Sequence, residues 1–513
     1  MPIKKRLIIL MIITLVGFTI RFYKMTDSPA GLYIDETSIG YNAYSIVETG
    51  RDEHGRFMPL FFEAFGEYKL PIYIYSVVLA QLILGPSDLS VRLPSVIFGV
   101  LTIPLLFFFV RELLTDKRYV KYKDEVAIIG TFLLAVSPWH FQFTRPGFEA
   151  SSGLFFFVLA LFLFFKAANQ KSKNLIVFSI VSFVLTFYSY NAARIVTPIT
   201  LATLLTLYCR KFHILTWATA LLIGFLLSLP FLFFALSAEG LVRAKQVSIF
   251  YQPLERPIVL QFISNFWKNV SPFYLFGTGD PTIAHLTEHR MSLLYLTELP
   301  FFVIGLIVMF IKRSKEYIFI LILFLMASIP PAISTLSPHS LRGFFSLPST
   351  IFISALGLGV LVSKSDNKTF KKLIISVYVF ALAISALKFV NIYHNKYAID
   401  AGWDWQVDAK EVSLIVARLE SDYDRVYFDS GLRNIAILWY LKIDPGLYQK
   451  ALDRNTIGKY VFEADFSSLS SKNEKSLYVT NKHIQGTKLL QHIKYPNGEV
   501  AYGIWELNKD KIN

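Results

Sequence analysis

A second cysteine is missing from this chain. Cys209 stands alone among 513 residues, so no intrachain disulfide can form, and any extracytoplasmic part must hold together without one. That fits a bacterial-type membrane protein. A small-residue cleavage site is also missing after the first apolar run, which follows Lys4-Lys5-Arg6 and extends from Leu7 to about Tyr23. The run therefore reads as a retained anchor rather than a secretory signal. Internal repeats and low-complexity segments are absent too.

What the chain has in excess is apolar surface. Hydrophobic residues make up 54% and aromatic residues 16%, with a mean hydropathy of +0.48. Runs of roughly 20 apolar residues, enough to cross a bilayer, recur along it. The net charge is +14. In a soluble protein that balance points to nucleic acid; here the basic residues fall between apolar runs, where they orient a membrane protein, and no nucleic-acid partner is expected.

Six basic clusters set a topology. They are Lys4-Lys5-Arg6, Arg111 to Lys123, Lys166 to Lys173, Arg210-Lys211, Lys312 to Lys315 and Lys364 to Lys372. Placing all six on the cytoplasmic side gives about 11 spans, with the N-terminus inside and the tail from Asn391 outside, in a multi-pass protein of the plasma membrane. The apolar stretch Pro71–Leu84 is too short to span and is expected as a partly inserted helix in the first external loop, residues 24–93. Two domains follow: a transmembrane domain over 1–390 and a soluble extracytoplasmic α/β domain over 391–513. In the latter, Val407–Leu419 has helical apolar spacing, and Arg425–Asp429, Ser476–Thr480 and Val500–Leu507 read as strands. No catalytic motif occurs there.

This topology, set by basic clusters and span lengths, gathers the remaining polar residues near one membrane surface. Asp35, Glu36 and Lys69 fall in the first external loop, Arg145 and Glu149 in the second, and Tyr190, Asn191 and Arg194 in the third. The long loop from Ser237 to Arg290 holds Arg243, Lys245, His285, Glu288 and His289, and the next turn holds His339 and Arg342. Singly, each has an ordinary explanation. Asp35-Glu36 suits a helix N-terminus, a lone arginine at a membrane edge snorkels, and Trp403-Asp404-Trp405 reads as an interfacial aromatic anchor. His285 and His289 are four apart and could ligate a metal on a helix, but no third ligand is named by spacing. No cofactor is required by these residues, and a divalent metal is left open.

Together they suit one chemistry. A sugar transferred from a polyprenyl phosphate leaves its phosphate behind, and cations at the membrane surface stabilise that leaving group. Lys69, Arg194, Arg243 and Arg342 are the candidates. The acceptor hydroxyl must lose a proton to a carboxylate; Asp35 is the candidate, with Glu36 or Glu149 in support. The Phe-rich spans, with 47 Phe in all, offer an apolar groove for the lipid tail.

Several segments carry a family resemblance. These are Gly31-Leu32-Tyr33-Ile34-Asp35-Glu36-Thr37, Tyr68-Lys69-Leu70-Pro71-Ile72-Tyr73 and Ser90-Val91-Arg92-Leu93-Pro94-Ser95. Ser137-Pro138-Trp139-His140 through Arg145 and Glu149, and Pro338-His339-Ser340-Leu341-Arg342, extend the match. The chain resembles membrane glycosyltransferases of the C-type fold, which include the protein O-mannosyltransferases and the enzyme that adds aminoarabinose to lipid A. The likeness is specific over about residues 31–150, looser to about 390, and does not cover the C-terminal domain. It implies an all-α polytopic fold of about 11 to 13 transmembrane helices with a small C-terminal α/β domain. It implies an inverting transfer from a polyprenyl-phosphate-linked sugar to an extracytoplasmic lipid, glycan or protein, with Asp35 as the catalytic carboxylate. Lys69 would contact the donor phosphate, while Arg145, Glu149, Tyr190 and His339 would shape the site. Leu70 stands where the aminoarabinose-type enzymes tend to have a second proline, and Glu149 where an Asp is common. The Trp-Trp-Asp motif of the oligosaccharyltransferases is absent; Trp403-Asp404-Trp405 is not that pattern.

Two other classes remain as rivals. A transporter or lipid flippase would carry ionisable groups or broken helices near the bilayer midplane, whereas the notable charges here sit at loop edges. A polysaccharide polymerase or ligase also works from an external loop and is disfavoured through the resemblance alone.

Overall fold

The structure is a computed structural model, and it describes residues 2–115, 122–281, 291–364, 367–464, 466 and 474–507. The chain divides into two compact units. One, the helical unit, comprises residues 1–23, 63–73 and 94–391; the other, the mixed unit, comprises 24–62, 74–93 and 392–513.

The helical unit opens with α1 (Ile3–Phe22). Later come α4 (Asp88–Leu113), α5 (Lys123–Val136), α6 (Pro138–Thr144), α7 (Ala150–Gln170), α8 (Lys173–Phe187), α9 (Ala193–Tyr208) and α10 (Ile214–Leu236). Two shorter helices, α11 (Ala238–Val247) and α12 (Ile258–Val270), precede helices at Leu299–Lys312, Lys315–Met326, Leu347–Lys364 and Lys368–Ile392. Among the described residues six helices are long and apolar enough to cross a membrane, or seven if α5 and α6, bent by 55°, count as one span. Of the other spans expected from sequence, α1 has 20 residues but carries Lys4, Lys5, Arg6 and Arg21, and the rest are helical as well but shorter. α8 has 15 residues and rises only about 22 Å, against a hydrocarbon core of about 30 Å. α9 has 16 residues and Leu299–Lys312 has 14. This is an all-α polytopic membrane protein.

Small residues draw its central helices together. A Cβ on Gly305 would lie 2.0 Å from the Ile353 carbonyl oxygen, and one on Gly357 would lie 1.9 Å from that of Phe301. Only glycine permits this approach between Leu299–Lys312 and Leu347–Lys364. The helix at Leu347–Lys364 is accordingly mostly buried, whereas most of the apolar stretch within Lys371–Asp400 is exposed. At one end of the unit Arg6 and Arg111 share Asp124, at 2.7 and 2.8 Å, and Lys315 caps the Leu207 carbonyl at 3.2 Å. Basic residues from three of the clusters therefore meet other loop ends as the charge pattern requires.

The mixed unit carries α2 (Ile34–Thr49) and α3 (Pro71–Leu84), whose ends lie in different units. Its six-stranded sheet has the order β4-β5-β3-β6-β8-β7, with β3 Arg425–Phe428, β4 Thr456–Ile457, β5 Tyr460–Val461, β6 Ser476–Thr480, β7 Thr487–Lys494 and β8 Val500–Leu507. β3 runs parallel to β5 and β6, and β8 is antiparallel to both its neighbours. Every residue of β6 is buried, which suits a central strand covered on both faces. The helix at Val407–Leu419 and the three expected strands are present. Residues 24–62 join this unit through specific bonds: Leu32 N–H donates to Tyr440 Oη at 2.9 Å, and Tyr41 Oη donates to the Ile443 carbonyl at 3.1 Å. Lys410 Nζ bonds both the Ala30 carbonyl and Asp88 at 2.8 Å.

Candidate active site

In the mixed unit the chemistry centres on the first turn of α2. Glu36 is completely buried. Its Oε2 accepts the Tyr33 N–H at 2.9 Å, which closes a capping box. Arg92 binds both carboxylate oxygens, at 2.9 and 3.1 Å. The same guanidinium donates to the carbonyls of Met25 at 2.7 Å, Pro29 at 2.8 Å and Gly31 at 2.5 Å, and it stacks 5.4 Å from the Trp405 ring centroid. All five Arg92 donor directions are used, so the segment before α2 is fixed residue by residue. Gly31 is required there, since a Cβ would fall 1.9 Å from the Trp405 carbonyl oxygen. Asp35, next in sequence to Glu36, is half-buried at the helix start. Of the two acids, Glu36 is the buried one that holds the turn.

In the helical unit the cations collect around a hairpin. β1 (Phe62–Ala64) pairs with β2 (Glu67–Lys69). Lys69 is 4% exposed and lies 5.8 Å from the Phe65 ring centroid. The following N–H, of Leu70, donates to Glu149 Oε1 at 3.1 Å, which ties the hairpin to the start of α7. Glu67 forms an ion pair with Arg243 on α11. Arg194, on α9, donates to the Gly240 carbonyl at 2.9 Å and sits 5.2 Å from the Phe231 ring and 5.8 Å from the Phe234 ring; Tyr68 packs edge-on against Phe234 at 5.4 Å. Tyr190 stands 6.2 Å from Phe345.

Arg342 occupies the turn before Leu347–Lys364. Burial lowers its guanidinium to about 10, the Arg243 charge acts in the same direction, and Tyr190, Glu67 and Asp280 oppose them. Its Nη1 and the Nε of Arg194 are buried without a hydrogen-bond partner among the described residues. Nearby, the His339 N–H donates to Asn269 at 3.1 Å, and His339 Nδ1 receives the Arg342 N–H at 3.5 Å. The Arg243 charge thus lies close enough to Arg342 to act on it, and Arg342 keeps one buried N–H that an oxyanion could fill. Arg145 is 1% exposed; it reaches the Ile20 carbonyl at 3.3 Å and stacks on Phe141 at 5.3 Å, at the far end of α1 from Arg6.

Sequence reasoning missed three participants. Glu67 precedes Lys69 by two residues and shares its strand face, a spacing that was legible. Asp280 accepts from the Ser340 N–H and Oγ at 2.5 and 2.7 Å and braces the Arg342 turn. Arg21 is buried against His140 at 2.8 Å and Thr144 at 2.9 Å. The metal candidates His285 and His289 lie outside the described residues. Among the described residues no group of three or more His, Cys, Asp or Glu side chains could hold a metal ion. Of the aromatic pair expected as an interfacial anchor, Trp403 is 68% exposed, whereas Trp405 is 1% exposed and belongs to the interior.

The family described as dolichyl-phosphate-mannose-protein mannosyltransferase matches residues 69–234, about a third of the chain, a stretch that holds Lys69, Arg145, Glu149, Tyr190 and Arg194. No curated protein sequence matches. Among solved structures, ArnT from Cupriavidus metallidurans bound to undecaprenyl phosphate is 11% identical, with a TM-score of 0.58 over 98% of each chain. Its apo form gives 10% identity and a TM-score of 0.59 over 97% of each. The archaeal oligosaccharyltransferase AglB from Archaeoglobus fulgidus, solved with an inhibitory peptide and a dolichol-phosphate, is 16% identical with a TM-score of 0.54, over 85% of this chain and 63% of that one. The same archaeal oligosaccharyltransferase has also been solved with Zn and sulfate.

Proposed function

We propose, for a chain that carries the C-type glycosyltransferase fold from end to end, the transfer of a sugar from a polyprenyl phosphate to an extracytoplasmic acceptor. The observation that carries this reading is the arginine pair of the helical unit, Arg342 beside Arg243, with a buried Arg342 donor unfilled among the described residues. ArnT holds undecaprenyl phosphate and AglB a dolichol-phosphate, ligands that end in the anion such a pair recognises. Lys69, Arg194, Arg243 and Arg342 bind the donor phosphate. Tyr190, His339, Arg145 and Glu149 position them.

The reaction is an inverting displacement. Asp35 accepts the proton of the acceptor hydroxyl, that oxygen forms the new bond to the sugar C1, and the C1–O bond to phosphate breaks. Polyprenyl phosphate leaves with the electron pair, neutralised by the cations. Glu36, held by Arg92, fixes the turn that presents Asp35. The N-terminus lies in the cytoplasm and the C-terminal residues outside.

The test is reconstitution of the full chain in liposomes with undecaprenyl-phosphate-linked sugars and an extract of envelope acceptors, with undecaprenyl phosphate followed by mass spectrometry. Transfer releases the free lipid phosphate in step with glycosylated acceptor. Intact donor moved between leaflets without cleavage refutes the transferase reading and supports a flippase.

A further inference from the structure

Within the mixed unit a pocket of about 150 Å³ opens beside the first turn of α2, lined by Tyr33, Ile34, Trp403, Gln406, Asp408 and Arg433 among others. Its volume is below the roughly 300–1,000 Å³ of sites that enclose a drug-sized ligand, so it admits one ring. We propose that this pocket is the acceptor subsite, and that it takes a neutral hydroxylated ring, a saccharide unit of the acceptor; the assignment rests on the glycosyltransferase reading above.

The lining has the chemistry that such a ring needs. Trp403 is 68% exposed at the rim and offers an apolar face for the C–H side of a sugar. Tyr33, on the opposite chain segment, is locked edge-on against Trp405 at 5.9 Å. Gln406 is 8% exposed, and its Oε1 is buried with no hydrogen-bond partner among the described residues. A buried amide oxygen left unpaired is destabilising, and a ligand hydroxyl donating to it offsets that cost. Gln406 also adopts a left-handed conformation, φ +49°, uncommon for a residue with a side chain and characteristic of functional positions. Asp408 already receives Tyr495 Oη at 3.0 Å and the Ala409 N–H at 2.9 Å, and its carboxylate retains lone pairs for a second hydroxyl. Arg433 supplies donors for a ring or hydroxyl oxygen.

Placement adds the second argument. Ile34, the first residue of α2, lines the pocket and Asp35 follows it in the chain, so a ring held here lies beside the turn that carries the proposed base. A ring held here brings a hydroxyl to the residue that must deprotonate it. The lining sets two carboxylates, Asp404 and Asp408, against one guanidinium, Arg433, which suits hydroxyl groups and not a phosphate; the phosphate chemistry belongs to the arginines of the helical unit.

The experiment titrates a panel of methyl glycosides into the detergent-solubilised full chain and follows saturation-transfer NMR, alongside acceptor KM in the liposome assay. Wild type binds at least one methyl glycoside in the millimolar range. Trp403→Ala and Gln406→Leu each weaken that binding roughly tenfold and raise acceptor KM, while Trp403→Phe recovers most of the loss. Trp403 is exposed, so its variants keep the fold; the thermal melt verifies this. Absence of glycoside binding to wild type, or binding and acceptor KM unchanged in both variants, overturns the subsite. If glycosides bind and the variants lose them but no donor is ever consumed, the pocket stands and the transferase reading fails.

Discussion

Arg92→Met is the most informative single perturbation of the fold around the proposed base. The guanidinium is 1% exposed and Glu36 is 0% exposed. Removing one partner of a buried ion pair costs about 3–5 kcal/mol, because the remaining charge is stranded. Three backbone carbonyls, of Met25, Pro29 and Gly31, also lose their donor. Methionine fills part of the volume, so roughly 4 kcal/mol is the expected loss. At about 2–4 °C per kcal/mol for a unit of some 150–250 residues, the melt shifts down by about 8–16 °C. Intrinsic tryptophan fluorescence of the detergent-solubilised chain reads it directly, since Trp405 and Trp439 are both buried in this unit. The double variant Arg92→Met/Glu36→Gln recovers part of the loss, because the stranded charge is then gone. A melt within about 2 °C of wild type, or a double variant no better than the single, would refute the reasoning that this pair fixes the turn bearing Asp35.

Lys69→Ala raises donor KM with little change in the thermal melt; unchanged donor kinetics count against a phosphate role. Glu67→Gln removes one counter-charge from Arg243, whose side chain is 40% exposed. Undecaprenyl phosphate then binds up to about fivefold tighter, the range of a partly exposed pair, and equal or weaker binding in a lipid-phosphate competition assay contradicts the counter-ion role. Burial pushes the Lys442 ammonium down to about 7, with Asp88 opposing the shift, while an unfolded lysine titrates near 10.4. Between those values the unfolded chain binds more protons, so stability rises from about pH 7 to about pH 10, and below about pH 7 the cost is constant. Lys442→Met removes that slope from melts recorded across the interval.

The helical unit was legible because long apolar runs and basic clusters are local signals. The helix at Val407–Leu419 and the strands at Arg425, Ser476 and Val500 were legible for the same reason, each carrying its own periodicity. The short strands β4 and β5, of two residues each, offer no period to read. Glu36 appeared as one half of an acidic pair, and only the structure separates it from Asp35, because its partner Arg92 lies 56 residues away. The association of residues 24–62 with 392–513 is carried by bonds such as Leu32 to Tyr440, which span 408 positions and leave no pattern in either segment. The cationic candidates were legible as residue types near loop edges. Their counter-ions Glu67 and Asp280 were not singled out: Glu67 could have been read from its spacing to Lys69, but its pairing with Arg243, 176 positions away, and that of Asp280 with Arg342 leave no local pattern.

The account stands most directly on the rate of a single turnover with Asp35→Asn, in liposomes loaded with saturating undecaprenyl-phosphate-linked sugar. Loss of the base lowers transfer by about 10²–10⁴-fold, with donor affinity and melting temperature kept and a fraction of the rate returned by Asp35→Glu. A variant that transfers sugar as fast as wild type contradicts the assignment of Asp35 and, with it, the mechanism.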